Sequence, residues 1–217
     1  MLKSYVKRAG RYTTAQKKAY DSLSSQYLIP FSEEKIDFCS VFKNQKVIIE
    51  IGFGSGFATA EIAQVNPDNN YLGIEVHKPG IGRLLWEIEK RCLSNVKIIE
   101  YDAAFVLEKM IPLCSVDAIH VFFPDPWPKK KHHKRRLMQL PFTQLLADSL
   151  KENGYLYMVT DWEDYANQTL EELTITKGLK NKYNGFADPQ NWRPKTRFEN
   201  KGLNKGHVIR ELFFIKS

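Results

Sequence analysis

Lys46 to Phe57 reads KVIIEIGFGSGF. Its first half, Lys46 to Ile51, is a short apolar run rich in β-branched residues, as in a strand buried on both faces. It ends at Gly52, Gly54 and Gly56, and alternating glycines let a backbone turn sharply and approach a ligand closely. The SGFATAEIAQV segment follows as a helix that stops at Asn66-Pro67. The spacing is G-x-G-x-G, whereas dinucleotide folds use G-x-G-x-x-G. Glu50 stands two residues before the first glycine, where a carboxylate suits a ligand with a cationic end better than a pyrophosphate. Taken alone, such a loop also serves as a packing turn.

The strand-then-helix rhythm continues outward. NYLGIEVH (Asn70 to His77), NVKIIEYD (Asn95 to Asp102), SVDAIHVFF (Ser115 to Phe123) and GYLYMVTD (Gly154 to Asp161) read as strands, and HVIRELFFIK (His207 to Lys216) as a last one. Helices are expected over Gly80 to Leu93, over the short AAFVLEKMI, from Arg135 to Lys151 with Pro141 either in its first turns or kinking it, and over WEDYANQTLEEL. Strand followed by helix, repeated five times, predicts an α/β fold whose parallel sheet is covered on both faces. Ligands of such sheets bind at the carboxyl ends of the strands. Two more acids stand there. Glu75 lies 19 residues after Gly56, the distance at which an acid takes ribose hydroxyls. Asp102 ends the third strand, where it suits either an adenine amino group or a helix N-cap.

The 217 residues are 43% hydrophobic and 26% charged, as expected of one globular domain. The basic, mobile arm expected over residues 1–20 leaves a single domain over 21–217. No apolar run reaches the roughly 18 residues of a membrane span, and the N-terminus lacks the apolar core of a secretory signal. Cys39, Cys92 and Cys114 are far apart and form no C-x-x-C, so neither disulfides nor a zinc site is expected, and a reducing cytoplasm is. The formal charge is +7, which favours a polyanionic partner. The excess is localised: residues 1–20 hold six basic residues and no acid, and residues 192–217 hold seven against two Glu.

The third basic block lies in FFPDPWPKKKHHKRRL, Phe122 to Leu137. Asp125 sits between Pro124 and Pro126, which restrict the backbone on both sides. Six of the eight residues from Lys129 to Arg136 are Lys or Arg. Adjacent His132 and His133 have no Cys or acid placed nearby, so no metal is expected there. Phe122, Phe123 and Trp127 are candidates for stacking on a base, although strand alternation sends one phenylalanine into the core. Asp161 faces the same end of the sheet, and the TRFE segment, Thr196 to Glu199, suits either a nucleotide contact or an ordinary turn.

The three strand-end acids around a glycine loop resemble the class I S-adenosylmethionine-dependent methyltransferases. With FFPDPWPKKKHHKRR, GIEVHKPGIGRLL, TDWEDYA and RPKTRFENKG, nearly the whole chain resembles the bacterial tRNA (guanine-N7-)-methyltransferases. That resemblance implies a Rossmann-like, doubly wound, mostly parallel seven-stranded sheet with the last strand antiparallel. It implies methyl transfer from S-adenosylmethionine to N7 of a guanine in the tRNA variable loop. It implies cofactor contacts at Glu50, Gly52, Gly54, Gly56, Glu75, Asp102 and Ala103, and Asp125 in the active site. It also implies tRNA contacts at Lys129, Lys131, His132, His133, Lys134, Arg135, Arg136, Asp161, Thr196, Arg197, Phe198 and Glu199. A competing reading is methylation of an exocyclic amine in DNA or rRNA, since the proline-flanked acid is close to the pattern such enzymes use. No membrane partner is expected, and monomer and homodimer are equally compatible with the sequence.

Overall fold

In the computed structural model, the KVIIEI run forms β1 (Lys46–Ile51), buried from its second residue onward. The structure describes residues 5, 12–42, 46–204 and 206–217, apart from the side chains of 197, 198 and 201. Half of the expected N-terminal arm therefore lies outside the described residues. The boundary expected at residue 20 falls within a helix, α1 (Thr14–Tyr27), which Thr13 and Gln16 close with a capping box. The Tyr20 hydroxyl of α1 donates to Glu100 at 2.5 Å.

The remaining strands are β2 (Asn69–Glu75), β3 (Val96–Glu100), β4 (Val116–Phe122), β5 (Leu150–Thr160), β6 (Leu179–Asn181) and β7 (Arg210–Lys216). They form one seven-stranded sheet in the order β3-β2-β1-β4-β5-β7-β6. Neighbours from β3 to β5 are parallel, and β7 is antiparallel to both β5 and β6. This is the doubly wound sheet expected, with β6 as a three-residue strand too short to show a period.

Helices α1, α3 (Phe57–Val65) and α4 (Lys78–Arg91) cover one face through Ala19, Ile62, Ile81, Leu84 and Ile88. The other face is covered by α5 (Ala103–Phe105) with its π-helical continuation Val106–Met110, by α6 (Phe142–Ser149) and by α7 (Glu163–Ile175), through Val106, Met110, Leu146, Tyr165 and Leu173. The helix expected from Arg135 is divided. Lys130–Arg135 form a 3₁₀ helix, and α6 starts only after Pro141, its N-cap. Proline has no N–H to give and its ring crowds the preceding turn, so an α-helix cannot run back through it. Short helix α2 (Phe38–Val41) precedes β1, and α8 (Arg197–Leu203) precedes β7.

Two glycines of α4 set its position. A Cβ on Gly80 would meet the Gly54 carbonyl oxygen at 2.0 Å, and one on Gly82 would meet the Gln16 carbonyl oxygen at 2.5 Å. Helix α4 thus lies directly against the glycine loop and against α1. Gly80→Ala is expected to lower stability by about 1–3 kcal/mol, the usual cost of overpacking, in a urea titration. The glycine loop should shift with it.

Candidate active site

The sheet changes winding direction between β1 and β4, which are neighbours although β2 and β3 separate them in sequence. At this switch point lies a two-lobed cleft, the place where open α/β sheets bind ligands. Gly52, just after β1, and Phe123, just after β4, line both lobes. The smaller lobe, 240 Å³, is lined by Glu75, Val76, Tyr101, Ala103 and Asp125 among others. The larger, 490 Å³, is lined by Glu50, Gly54, Phe57, Arg83 and Thr196 among others.

The glycine loop is built by φ values that only glycine adopts cheaply: 71°, 58° and 66° at Gly52, Gly54 and Gly56. A Cβ on Gly52 or Gly54 would meet nothing within 4 Å, so these two face open space. Gly56 instead packs against Leu84 of α4, 2.5 Å from where its Cβ would stand. The Glu75 carboxylate holds the loop. It accepts the N–H of Gly54 at 2.8 Å, of Val76 at 2.7 Å and of His77 at 3.1 Å. Glu50 is 3% exposed and accepts the Thr59 hydroxyl at 2.7 Å. Burial raises its pKa to about 7, against the opposing pull of the Thr59 hydrogen bond. Asp102 caps α5 by accepting the Ala104 N–H at 2.9 Å, and its neighbours Tyr101 and Ala103 line the lobe. Tyr101 gave no signal in the sequence because its ring stacks on Phe31, 3.8 Å away, from a distant part of the chain.

Asp125 is exposed on the wall of the smaller lobe. Its segment is strained on both sides, with φ of 49° at Phe123 and 47° at Trp127. Bulky residues in the left-handed region persist only where the surroundings over-determine them. Two such determinants are visible. Phe123 donates its N–H to the Val159 carbonyl at 2.8 Å, and Arg136 Nε donates to the Pro126 carbonyl at 2.8 Å. Phe122 packs against His120 and Tyr157 and lines the larger lobe, whereas Phe123 lines both lobes.

The basic run separates into two kinds of residue. Lys129, Lys131 and Lys134 are exposed. Arg135 lies over the Trp127 ring, 4.9 Å from its centroid, with His132 edge-on to the same ring at 5.8 Å. Desolvation and the surrounding lysines and Arg135 lower the His132 pKa. Arg136, expected on the tRNA, is instead 2% exposed and fully engaged. It donates to Gln168 Oε1 and to Asp164 Oδ2, each at 2.5 Å, and lies 3.1 Å from His133 Nε2. A guanidinium so enclosed braces the Asp125 loop.

The TRFE segment is a helix start. Thr196 and Glu199 form the capping box of α8, a signature legible in T-x-x-E. Thr196 also lines the larger lobe. Glu199 is buried and takes a bidentate pair from Arg193 at 2.6 and 2.8 Å. Arg193 also donates to Glu211 at 2.9 Å and to Tyr157 at 3.2 Å, and Tyr157 donates to Glu211. Burial opposes the charge on Arg193, but Glu199, Tyr157 and Glu211 outweigh it and raise its pKa. Asp161 pairs with His207 Nδ1 at 2.8 Å and packs on Gly202 of α8. The side chains of Arg197 and Phe198 lie outside the described residues. Among the described residues, no three His, Cys, Asp or Glu side chains gather as a metal would need.

Strand-end acids, a left-handed glycine loop and a cleft at the switch point of this sheet define a class I S-adenosylmethionine-dependent methyltransferase. A family model described as "Putative methyltransferase" matches residues 44–212. The chain belongs to the family of the bacterial tRNA (guanine-N(7)-)-methyltransferases. It is 48% identical over 217 residues to that protein of Ralstonia pickettii (strain 12J), covering 99% of this chain and 84% of the relative. It is also 48% identical over 217 residues to that of Nitrosomonas europaea, covering 100% and 97%. Among solved structures, the 16S rRNA methyltransferase KamB superposes with a TM-score of 0.59 at 16% identity, covering 97% of each chain. The antibiotic-resistance methyltransferase Kmr gives 0.59 at 13% identity, over 87% of this chain and 94% of its own. At those identities the likeness is one of fold.

The buried charges make stability depend on pH and on pairing. The folded pKa of Glu50 lies above its unfolded value, so the native state holds the extra proton and its stability falls as pH rises from 4.5 to about 7. Glu50→Gln should remove this loss and gain on the order of 2–3 kcal/mol at pH 8 in the unliganded protein, read by urea denaturation. Arg193→Met leaves Glu199 and Glu211 buried without their cation. It should cost about 3–5 kcal/mol in the same measurement.

Proposed function

We infer that the chain transfers a methyl group from S-adenosylmethionine to N7 of a guanine in tRNA, and we take that guanine to lie in the variable loop, as the family resemblance implies. The observation that carries the reading is the cleft itself. Asp125 stands on a wall shared with the glycine loop and Glu75, and exposed cations follow it within a few residues.

The residues present fit the cofactor. Gly52 and Gly54 leave the loop open where any side chain would fill it. Glu50 is a buried carboxylate with one side-chain donor, and a cationic group beside it would keep it ionised. Glu75 lies where ribose hydroxyls would be bound, and Tyr101 and Ala103 line the same lobe. Bound S-adenosylmethionine supplies the methyl on a sulfonium, whose sulfur keeps the bonding electrons as carbon passes to nitrogen.

Guanine N7 has an exposed lone pair and no proton to lose, so the chain needs no general base. What remains is to orient the base and to offset the positive charge it gains. Asp125 suits both tasks: its carboxylate accepts hydrogen bonds from N1–H and the exocyclic amine, an edge adenine lacks. The prolines and the Arg136 brace hold it in place, so little is lost in ordering it. Phe122 and Phe123, both on the cleft wall, are the aromatic residues we place against the base. Lys129, Lys131, Lys134 and Arg135 meet phosphates, adding salt-dependent affinity without sequence information. Asp161, Thr196 and Glu199 act on this site through the placement of α8. We place the enzyme in the cytoplasm, where tRNA substrates are found and where its three free cysteines stay reduced.

Asp125→Ala is expected to lose most turnover, at least about tenfold, with cofactor affinity nearly unchanged. Normal turnover would move the role elsewhere in the cleft. Changing Lys131, Lys134 and Arg135 together to Ala should raise the tRNA KM and flatten its dependence on salt, by about one unit of slope for each phosphate left without its cation. In a deletion strain, tRNA should lack 7-methylguanosine, and normal levels would refute the assignment.

A further inference from the structure

The larger lobe of the cleft carries two ionisable side chains of opposite sign among its described lining residues, Glu50 and Arg83. Arg83 comes from α4, whose position against the glycine loop is set by Gly80. Its guanidinium lies over the Trp86 ring, 4.3 Å from the centroid. Its Nη2 donates to Glu87 at 2.6 Å. Glu87 is buried and also takes Arg91 Nε at 3.1 Å, so one carboxylate answers two guanidinium groups. Among the described residues, no hydrogen bond engages Nε or Nη1 of Arg83. The side chain is 38% exposed and forms part of the lobe wall. It is therefore a preoriented cation with donors left for a second anion.

We propose that Arg83 binds the α-carboxylate of S-adenosylmethionine, while Glu50 in the same lobe takes its α-amino group. This rests on the reading of the cleft as the cofactor site. An amino-acid end carries one charge of each sign, and so does the lobe. A tRNA phosphate would answer Arg83 but give Glu50 no cationic partner, whereas an amino-acid end answers both. The donors of the guanidinium beyond the one Glu87 takes can answer a carboxylate through charge-assisted hydrogen bonds. The contact adds cofactor affinity on the chain's own account, from a residue outside the strand ends.

The test is calorimetric, with no RNA present. S-adenosylmethionine and its decarboxylated form are titrated into the wild-type protein and into Arg83→Met. The wild type should bind the decarboxylated form about tenfold more weakly, the size of one charge-assisted contact. Arg83→Met should bind both forms with nearly equal, weakened affinity, and Arg83→Lys should recover part of the difference. The Met variant should fold normally, since Glu87 keeps Arg91, and an unchanged Tm verifies it. An undiminished difference in Arg83→Met overturns the proposal. So does a variant whose cofactor affinity is unchanged while its tRNA KM rises, which assigns Arg83 to a phosphate. Failure of the wild type to bind S-adenosylmethionine at all would refute the reading of the cleft, and the proposal with it.

Discussion

The Glu75 carboxylate is the interaction on which the site depends. It gathers the N–H groups of Gly54, Val76 and His77, tying the loop after β1 to the end of β2. A carboxylate that accepts several backbone donors is a fixed, strongly bonded anchor. With the loop held in its left-handed turns, α4 settles against it through Gly80 and brings Arg83 to the cleft. The same carboxylate lines the smaller lobe, so one group sets the frame and offers an acceptor to the ligand.

The other half of the cleft is organised by a cation. Arg136 reaches Pro126, Gln168 and Asp164 at once and so connects the loop after β4 to α7. That bracing lets Phe123 and Trp127 remain in backbone conformations that bulky residues rarely adopt. It also divides the labour within the basic run. A buried guanidinium needs partners on every side, and Arg136 has them. The exposed Lys129, Lys131 and Lys134 have no such demand and are available to an RNA backbone. A second buried cation, Arg193, does the corresponding work at the far edge by joining β5, β7 and α8.

Much of this was legible in the chain. The apolar strand runs, the glycine loop and the acids at successive strand ends pointed to the sheet and to the end of it that binds. Those signals are local: a strand buried on both faces must be apolar, and a left-handed turn must be glycine. TRFE carried its own explanation as a capping box, although its nucleotide-like composition also suited RNA. Helix α1 was hidden because its residues are mostly polar and its stability comes from packing on α4.

From the order of residues alone came the fold class, the family pattern, the strand-end acids Glu50 and Glu75, and the placement of Asp125 beside a basic run. Which charges are free to act was settled in three dimensions. Arg136 and Glu199 look like surface residues in a polar segment, yet each is enclosed by partners from elsewhere in the chain, Asp164 and Gln168 for one and Arg193 for the other. Arg83 looks like an ordinary helix-face cation, yet it reaches the cleft that Glu50 lines. Periodicity and motif report what a residue does to its own segment. Burial and charge pairing depend on which segments meet, and that is fixed only when the sheet and its helices close around the core.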